Sequence, residues 1–190
     1  IAYYDLTFED DYQIDVERLG TMIKKSTRYV NLTIPHNPTG QLLPREALCR
    51  WIERHSGTAL VVDEAFMDYA PAESLLPDLL ARPRTVILRS LTKFFAMPAL
   101  RVGHAFADAA TAARMRDLQE SWPVGQLELR AAETALADAA HETRSLAFFQ
   151  CELPRFHREL LDLGLQVPAS AAPFLLVKPP RGGGSACADA

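Results

Sequence analysis

The chain alternates between short apolar runs and longer stretches in which apolar residues recur with helical spacing. Four apolar runs, at residues 28–34, 58–62, 85–88 and 102–107, are rich in β-branched and aromatic residues, which is typical of buried strands. Between and after them, apolar positions with a period of about 3.6 residues predict helices. This order of strands and helices predicts an α/β fold with a mostly parallel sheet.

The predicted helices have recognisable ends. Asp15 is a good N-cap for a first short helix, and Pro44 suits the first turn of the next one. Residues 109–119 and 127–139 predict two more helices, which are followed by a longer amphipathic pattern. The apolar positions of that pattern are Phe149, Leu153, Phe156, Leu160 and Leu163. We interpret this stripe as core, and we expect a kink or a break at Pro154, which lies inside it.

The C-terminal part predicts the start of a second domain. Residues 172–177 predict a strand, after which a run of Pro and Gly ends all periodicity. We therefore divide the chain into a large domain at residues 1–140, a connecting helix with the start of a small domain at 141–178, and a flexible tail at 179–190.

Composition narrows the class of protein. The 190 residues are 48% hydrophobic and 23% charged, which is typical of a globular chain that can bury a core. A net charge of -4 with scattered basic residues gives no reason to expect nucleic acid or an anionic membrane as a partner.

Cysteine usage and the N-terminus add further expectations. Cys49, Cys151 and Cys187 lack the spacing of a zinc site or a disulfide framework, so we predict no metal and a reducing, cytoplasmic location. There is no apolar stretch long enough for a membrane span and no signal-peptide pattern. The first residue is Ile1 rather than Met, which indicates a fragment of a longer chain.

Chemically versatile side chains follow the predicted strands. Asn37, Asp63 and Ser90 each come just after a strand, and open α/β sheets bind ligands outside the carboxyl ends of their strands. The loop after Ser90 carries Lys93 and Arg101 and contains no acidic residue. A hydroxyl and a planar guanidinium could together bind a phosphate.

The apolar neighbours of Lys93 suggest a reactive amine. Partial desolvation by Phe94, Phe95 and Met97 would favour the neutral, nucleophilic form that a Schiff-base lysine needs. A simpler interpretation stays open, in which Lys93 is an ordinary surface charge at the end of a core strand. Asn37 is similarly ambiguous, because Asn-Pro-Thr-Gly is also a plain turn signal.

Three motifs in register resemble one family. They are residues 35–40 (Pro-His-Asn-Pro-Thr-Gly), 61–69 (Val-Val-Asp-Glu-Ala-Phe-Met-Asp-Tyr) and 89–103 (Arg-Ser-Leu-Thr-Lys-Phe-Phe-Ala-Met-Pro-Ala-Leu-Arg-Val-Gly). Their order and spacing resemble those of fold-type I pyridoxal-phosphate enzymes, the class I/II aminotransferase superfamily. Within it, the motifs look most like the threonine-phosphate decarboxylases of cobalamin biosynthesis, and next like histidinol-phosphate aminotransferases.

The resemblance implies a fold and an assembly. The expected fold is a three-layer α/β sandwich with a mostly parallel sheet, the large domain of pyridoxal-phosphate-dependent transferases, followed by the start of a small α+β domain. Residues 1–140 would form part of the cofactor-binding domain, in a full chain of roughly twice this length. The full-length protein is expected to be a homodimer.

The resemblance also assigns roles to residues. Lys93 would bind pyridoxal 5'-phosphate covalently and later donate or accept a proton, and Asp63 would face the pyridine nitrogen and keep it protonated. Asn37 would donate a hydrogen bond to the ring oxygen beside the lysine linkage. Ser90 and Arg101 would bind the cofactor phosphate.

Four neighbouring residues qualify this assignment. Glu64 and Asp68 are alternative carboxylates to Asp63, and we expect them at the rim of the site or in a turn. Thr92 could assist in binding the phosphate. Phe66 stands where many aminotransferases have a Tyr that donates to the ring oxygen, and a phenyl ring cannot donate. This departure agrees with the decarboxylase-like subgroup.

The resemblance therefore implies decarboxylation of a phosphorylated amino acid, L-threonine O-3-phosphate, to aminopropanol phosphate in cobalamin biosynthesis. An aminotransferase of the histidinol-phosphate type is the first alternative. A truncated module without catalysis is the second. We expect this chain alone to be inactive, because its motifs cover only part of the site that the family uses.

Overall fold

The computed structural model of the protein, which describes residues 1–178, is built around a four-stranded sheet. The strands are β1 (Tyr29–Thr33), β2 (Ala59–Asp63), β3 (Thr85–Ser90) and β4 (Gly103–Ala107), in the order β1-β2-β3-β4. The first three are parallel and β4 is antiparallel to β3. The predicted α/β class and mostly parallel sheet are confirmed, although β3 extends two residues past its predicted end, to Ser90.

Seven α-helices accompany the strands in the described part of the chain. They are α1 (Val16–Met22), α2 (Arg45–Arg54), α3 (Leu76–Leu79), α4 (Leu91–Phe94), α5 (Ala109–Leu118), α6 (Gln126–Ala137) and α7 (Ala139–Asp162). Two 3₁₀ turns, Met67–Tyr69 and Pro71–Glu73, lie between β2 and α3.

Aspartate side chains cap the starts of three helices, α1, α5 and α7, the last through Asp138. The Asp15 carboxylate accepts hydrogen bonds from the first backbone amides of α1, which confirms the predicted N-cap. Asp108, which ends β4, caps α5 in the same way. Pro44 is the residue just before α2 rather than its first helical residue, one position earlier than predicted.

The main core lies between the sheet and the first two helices. Leu48, Trp51 and Ile52 of α2 expose 0 to 2% of their surface, so the predicted apolar stripe is confirmed. They share one buried cluster with sheet residues such as Val62 and Ile87. This packing holds β1, β2 and β3 in register.

The long helix α7 answers two predictions. It continues through Pro154, so the break that was one of the two expectations does not occur, and the kink stays a prediction. None of its residues is buried, and Phe156 and Leu163 of the predicted stripe are 48% and 75% exposed. The prediction that its aromatic stripe is core was therefore wrong within residues 1–178. Helical spacing identifies an apolar face but not the surface that covers it.

Residues 172–177 do not form the predicted strand. The pairing at this point is a single antiparallel bridge between Gln166 and Lys178, and the residues between them are irregular. An apolar run becomes a strand only where a partner strand accepts its hydrogen bonds, and here residues 1–178 supply only that bridge.

The proposed division into domains stays a prediction. Its boundary between residues 140 and 141 falls in the first turn of α7. The predicted tail at 179–190 lies outside the described residues. Within residues 1–178, no helix combines the length and the apolar character needed to cross a bilayer.

Candidate active site

The carboxyl ends of the three parallel strands meet at one edge of the sheet. Asp63 is the last residue of β2, where it is paired with Thr33 of β1 and Leu88 of β3. Ser90 is the last residue of β3, and Asn37 lies four residues beyond the end of β1. The predicted site residues on these strands therefore lie at a common edge.

The lysine motif begins in β3 and turns at once into the single-turn helix α4. Ser90 Oγ and Thr92 Oγ1 share a hydrogen bond of 2.8 Å, and Lys93 Nζ donates to Thr92 Oγ1 at 3.1 Å. Thr92, which the sequence suggested only as an accessory residue, is 4% exposed and connects the two. These contacts join a hydroxyl pair to the lysine amine.

The expected desolvation of Lys93 by its aromatic neighbours does not occur in this chain. Leu91 and Phe94 are buried, whereas Lys93 is exposed. Successive residues of a helical turn point in different directions, so apolar neighbours in sequence need not surround the lysine. The aromatic ring that does approach its amine is Phe66, whose centroid lies 5.9 Å from Lys93 Nζ.

The Asp63 carboxylate is half-buried and has spare hydrogen-bonding capacity. Asp63 Oδ1 accepts from the backbone amide of Ala65 at 3.0 Å. Among residues 1–178, no Lys, Arg or His forms an ion pair with it. A half-buried carboxylate is stabilised by a cationic N–H donor, so this position can accept one from a ligand.

Arg101 and Asn37 are both exposed. Arg101 Nη1 donates to the carbonyl of Pro98 at 2.9 Å, which leaves the remaining guanidinium N–H groups without a protein partner within residues 1–178. Asn37 lies in a tight turn in which the amide of Gly40 donates to the carbonyl of His36 at 2.6 Å. The turn that its motif signals is therefore present.

The segment after α7 packs against the turn at residues 36–40. The sequence did not indicate this contact. The backbone amide of Ala171 donates to the carbonyl of Gly40, and Gln41 Nε2 donates to the carbonyl of Ala169. Gly40 has a φ of +71°, and a Cβ there would lie 1.8 Å from Ser170 Oγ. Glycine is required here both by the backbone conformation and by this close approach.

The segment after α7 also contacts the surroundings of Lys93, through an aromatic side chain. The Phe174 ring packs on Phe66 edge to face, with the centroids 5.0 Å apart. Phe66 is the ring that faces Lys93 Nζ, so residues remote in sequence help to form one wall of the site.

Glu64 was expected at the rim of the site or in a turn, and it does not lie at the rim. Its carbonyl accepts from the Met67 amide at 3.0 Å, so it begins the turn that follows β2. It is fully buried and forms an ion pair with Arg89 Nε at 2.9 Å. Because side chains alternate along an extended chain, Glu64 points away from Asp63 and into the protein. A charged residue next to an apolar strand needs a partner, and Arg89 was the signal in the sequence that could have identified it. Asp68 lies in a 3₁₀ turn, which agrees with its prediction.

Burial shifts the pKa values of several side chains near the site. Burial raises the pKa of Asp68, while the neighbouring Arg89 acts in the opposite direction. The pKa of His104 is lowered by burial and by Arg89, and burial lowers the pKa of His36. His36 shares a 2.9 Å hydrogen bond between Nδ1 and Thr39 Oγ1.

The sequence as a whole matches a known family. The family described as aminotransferase class I and II matches residues 1–184. The chain belongs to this family. Residues 35–40, 61–69 and 89–103 led to the same superfamily, so that interpretation of the motifs is confirmed.

Two relatives of the chain have different activities in their names, one a decarboxylase and one an aminotransferase. This chain is 39% identical over 153 residues to the threonine-phosphate decarboxylase of Salmonella typhimurium. That alignment covers 77% of this chain and 42% of the relative. It is 32% identical over 174 residues to histidinol-phosphate aminotransferase 2 of Carboxydothermus hydrogenoformans, covering 88% and 48% respectively. The chain therefore spans slightly less than half the length of these relatives.

The fold agrees with that of a solved family member. The histidinol-phosphate aminotransferase of Sinorhizobium meliloti, solved in complex with pyridoxal-5'-phosphate, superposes with a TM-score of 0.82 at 26% identity. The match covers 90% of this chain and 48% of that one. Family membership and this complex indicate pyridoxal phosphate as the cofactor, as the motifs predicted.

The donor set at the sheet edge fits this cofactor. A pyridinium nitrogen is a cationic donor that the carboxylate of Asp63, which has no ion-pair partner among residues 1–178, can accept. The hydroxyls of Ser90 and Thr92 suit a phosphate, as do the guanidinium N–H groups of Arg101 that no described residue accepts, and Lys93 supplies a primary amine. These groups come from one edge of one sheet and the loop that follows it.

Proposed function

We propose that the protein carrying this chain is a pyridoxal-phosphate-dependent decarboxylase that converts L-threonine O-3-phosphate to aminopropanol phosphate in cobalamin biosynthesis. The observation that carries the proposal is the Lys93 amine, which is hydrogen-bonded to Thr92 and faces the Phe66 ring. The relative that is 39% identical has the name of this decarboxylase.

The residues have distinct proposed roles. Lys93 holds the cofactor covalently and, once released, moves a proton to or from the substrate carbon, while Thr92 orients its amine. Asp63 holds the proton on the ring nitrogen, since a nearby carboxylate favours the charged form of that nitrogen. When bound, the cofactor supplies an electron sink for the negative charge left on that carbon.

The remaining groups bind and orient. Ser90 and Arg101 bind the cofactor phosphate through a hydroxyl and a guanidinium fork. Asn37, exposed at its turn, donates its amide N–H to the ring oxygen. Phe66 gives this part of the site an apolar face without a hydroxyl donor, which supports the decarboxylase over a transaminase.

An aminotransferase of the histidinol-phosphate type is the second candidate. The relative that is 32% identical and the superposed structure both have that name, and the same Lys93, Asp63 and Arg101 would serve it. Which bond of the substrate breaks depends on how its carboxylate and phosphate are held, so the activity itself separates the two candidates.

The discriminating experiment uses the full-length protein. With pyridoxal phosphate and L-threonine O-3-phosphate we expect release of carbon dioxide and formation of aminopropanol phosphate. Transfer of the amino group from histidinol phosphate to 2-oxoglutarate, without carbon dioxide release, would move the assignment to the aminotransferase.

The attachment site is tested separately by borohydride trapping and peptide mapping. We expect the label at Lys93, its loss in Lys93→Ala, and its retention in the control Lys25→Ala, which removes an exposed lysine from a different loop. A full-length protein without a label at Lys93 would contradict the cofactor role. A label in that protein but none in this chain alone would mean that this part is a non-catalytic module when isolated.

We also propose that the full-length protein is a homodimer. Support comes from the motifs and from a group of exposed apolar side chains around the α5–α6 connection, where Leu118, Trp122 and Leu127 are 87%, 92% and 69% exposed. Sedimentation velocity is expected to give the mass of two chains. A monomer at micromolar concentration would contradict the proposal.

A further inference from the structure

A buried ion pair lies directly behind the proposed cofactor site. Asp63 is aligned with Leu88 across the sheet, so the two share a face, and alternation places Ser90 on that face as well. Arg89 and Glu64 are one residue away from Ser90 and Asp63, and their side chains meet on the opposite face at 2.9 Å. Of the proposed site residues, Asp63 and Ser90 therefore each have a member of the ion pair as their neighbour in sequence.

The pair belongs to a wider hydrogen-bond network, in which each guanidinium nitrogen of Arg89 makes one hydrogen bond. Glu64, which is fully buried, also accepts from Ser74 Oγ at 2.8 Å and from the amide of Leu75 at 2.7 Å. The second and third guanidinium nitrogens of Arg89 donate to Asp68 at 2.6 Å and to Ser74 Oγ at 2.9 Å. One cation is thus fixed in position by two carboxylates and a hydroxyl.

The ion pair lies just beyond the last backbone hydrogen bond between β2 and β3. The last backbone hydrogen bond between the ends of β2 and β3 runs from the amide of Glu64 to the carbonyl of Leu88, at 2.9 Å. Beyond it the chain after β2 turns away towards Phe66, whereas β3 continues through Arg89 and Ser90, which are still paired with β4, before α4 begins. On the side that faces β2, the Glu64–Arg89 contact joins the two segments.

A buried ion pair is weak evidence for stability, because desolvating the charges offsets much of their attraction, but its geometry is specific. The planar guanidinium matches a carboxylate only in particular orientations. Glu64 and Arg89 are joined to Asp63 and Ser90 by one planar peptide unit each, so fixing the backbone at the pair limits where the backbone of the two site residues can lie. The Glu64–Arg89 ion pair therefore affects the positions of Asp63 and Ser90 more than it stabilises the fold.

We propose that Glu64 and Arg89 are positioning residues, which fix the distance between the Asp63 carboxylate and the Ser90–Lys93 segment so that one cofactor can contact both. The inference rests on the proposed roles of Asp63, Ser90 and Lys93. Neither member of the pair needs to contact the cofactor or the substrate.

The test measures cofactor affinity in the full-length protein. Glu64→Gln removes the charge while keeping the shape, and Arg89→Lys keeps the charge but loses the fork that reaches Asp68 and Ser74. We expect each to weaken pyridoxal-phosphate binding, followed by absorbance titration, by about tenfold or more, as outer-shell partners do in metal sites. We also expect kcat to fall further than KM changes, since misplaced reacting groups slow catalysis.

Two controls separate positioning from general destabilisation. Ile52→Val shortens a side chain of the main core, and Asp78→Asn removes a half-exposed ion pair with Arg45. Both are expected to change the melting temperature without changing cofactor affinity. If Ile52→Val weakens binding as much as Glu64→Gln at an equal loss of stability, the pair has only a structural role.

A milder variant covers the case in which Glu64→Gln does not fold. Ser74→Ala removes only the hydroxyl that contacts both members of the pair, and we expect a smaller loss of cofactor affinity in the same direction. Unchanged affinity in Ser74→Ala and Arg89→Lys would overturn the proposal. Failure of the proposed cofactor roles is distinguishable, because borohydride would then leave Lys93 unlabelled in the unmodified protein itself. Failure of the decarboxylase assignment alone appears in the substrate assay and leaves this label in place.

Discussion

At the scale of single residues, the ends of β2 and β3 carry the groups that would contact the cofactor. Asp63 keeps one oxygen on the amide of Ala65 and has no cationic partner among residues 1–178. Lys93 reaches Thr92 and the face of Phe66. These side chains have partial partners, as expected of groups that complete their contacts with a ligand.

The first residue-scale prediction concerns the charge of Asp63. In the full-length protein, Asp63→Asn keeps an acceptor for the Ala65 amide but removes the negative charge, so we expect kcat to fall by about 100- to 1,000-fold. The free energy of unfolding should change by less than about 1 kcal/mol, because the shape is retained. The control is Asp117→Asn on exposed α5, where kcat should be unchanged. Equal activity in the two variants would exclude a role for Asp63.

The second concerns the turn that closes on the C-terminal segment. Gly40→Ala places a methyl group 1.8 Å from Ser170 Oγ at a φ of +71°, so we expect the free energy of unfolding to fall by about 3 kcal/mol. Urea denaturation measures the loss. Gly57→Ala is the matched control, since no atom lies within 4 Å of the added methyl group. Similar stabilities for both variants would contradict this account of the turn.

At the scale of elements, helix α2 anchors the parallel strands through its buried face. Leu48 is 0% exposed and belongs to the same cluster as Leu60 and Val62 of β2. The opposite end of the sheet is different, because α5, which follows β4, has no buried residue. The strands that carry the site are therefore those with the most complete packing.

This asymmetry gives an element-scale prediction. Leu48→Ala should lower the free energy of unfolding by about 2 to 5 kcal/mol, because it opens a cavity between α2 and the sheet. Leu163→Ala, at the 75% exposed end of α7, which also has no buried residue, should change it by less than about 0.5 kcal/mol. Chemical denaturation of both variants measures the difference. Comparable losses would mean that the core is not centred on α2.

At the scale of the whole molecule, two half-buried imidazoles link stability to pH. Burial lowers the pKa of both His36 and His104 below the ordinary value of 6.5. The unfolded chain therefore binds protons at a higher pH than the folded chain does. The stability from these two groups is present above about pH 6.5 and is lost as the pH falls through their lower folded-state pKa values.

We therefore expect the free energy of unfolding to decrease on acidification from about pH 8 to about pH 5. The double variant His36→Gln/His104→Gln should show a smaller decrease, which denaturation at a series of pH values measures. Asp68 acts in the opposite sense, because burial raises its pKa, so its contribution is lost as the pH rises through that value. An unchanged pH slope in the double variant would refute the assignment to these histidines.

Much of the site could be predicted from the sequence because it depends on local order along the chain. The apolar runs fixed the strands to within two residues, and the edge that carries Asp63 and Ser90 followed from the parallel connection. The predictions that were wrong concern the environment of individual side chains and segments. The burial of Glu64, the exposure of Lys93 and the irregular course of residues 172–177 all depend on which distant groups lie nearby.

The sequence by itself determined which functional group follows each strand: an amide after β1, a carboxylate at the end of β2, and a hydroxyl and an amine at the end of β3. The motifs that carry these groups were specific enough to identify the family. Only the tertiary structure decided which charge is neutralised and which stays available. Glu64 and Asp63 are adjacent carboxylates, but alternation turns one towards Arg89 and leaves the other at the sheet edge. Local spacing fixes the direction of a side chain, whereas its partner is set by packing between segments far apart in the chain.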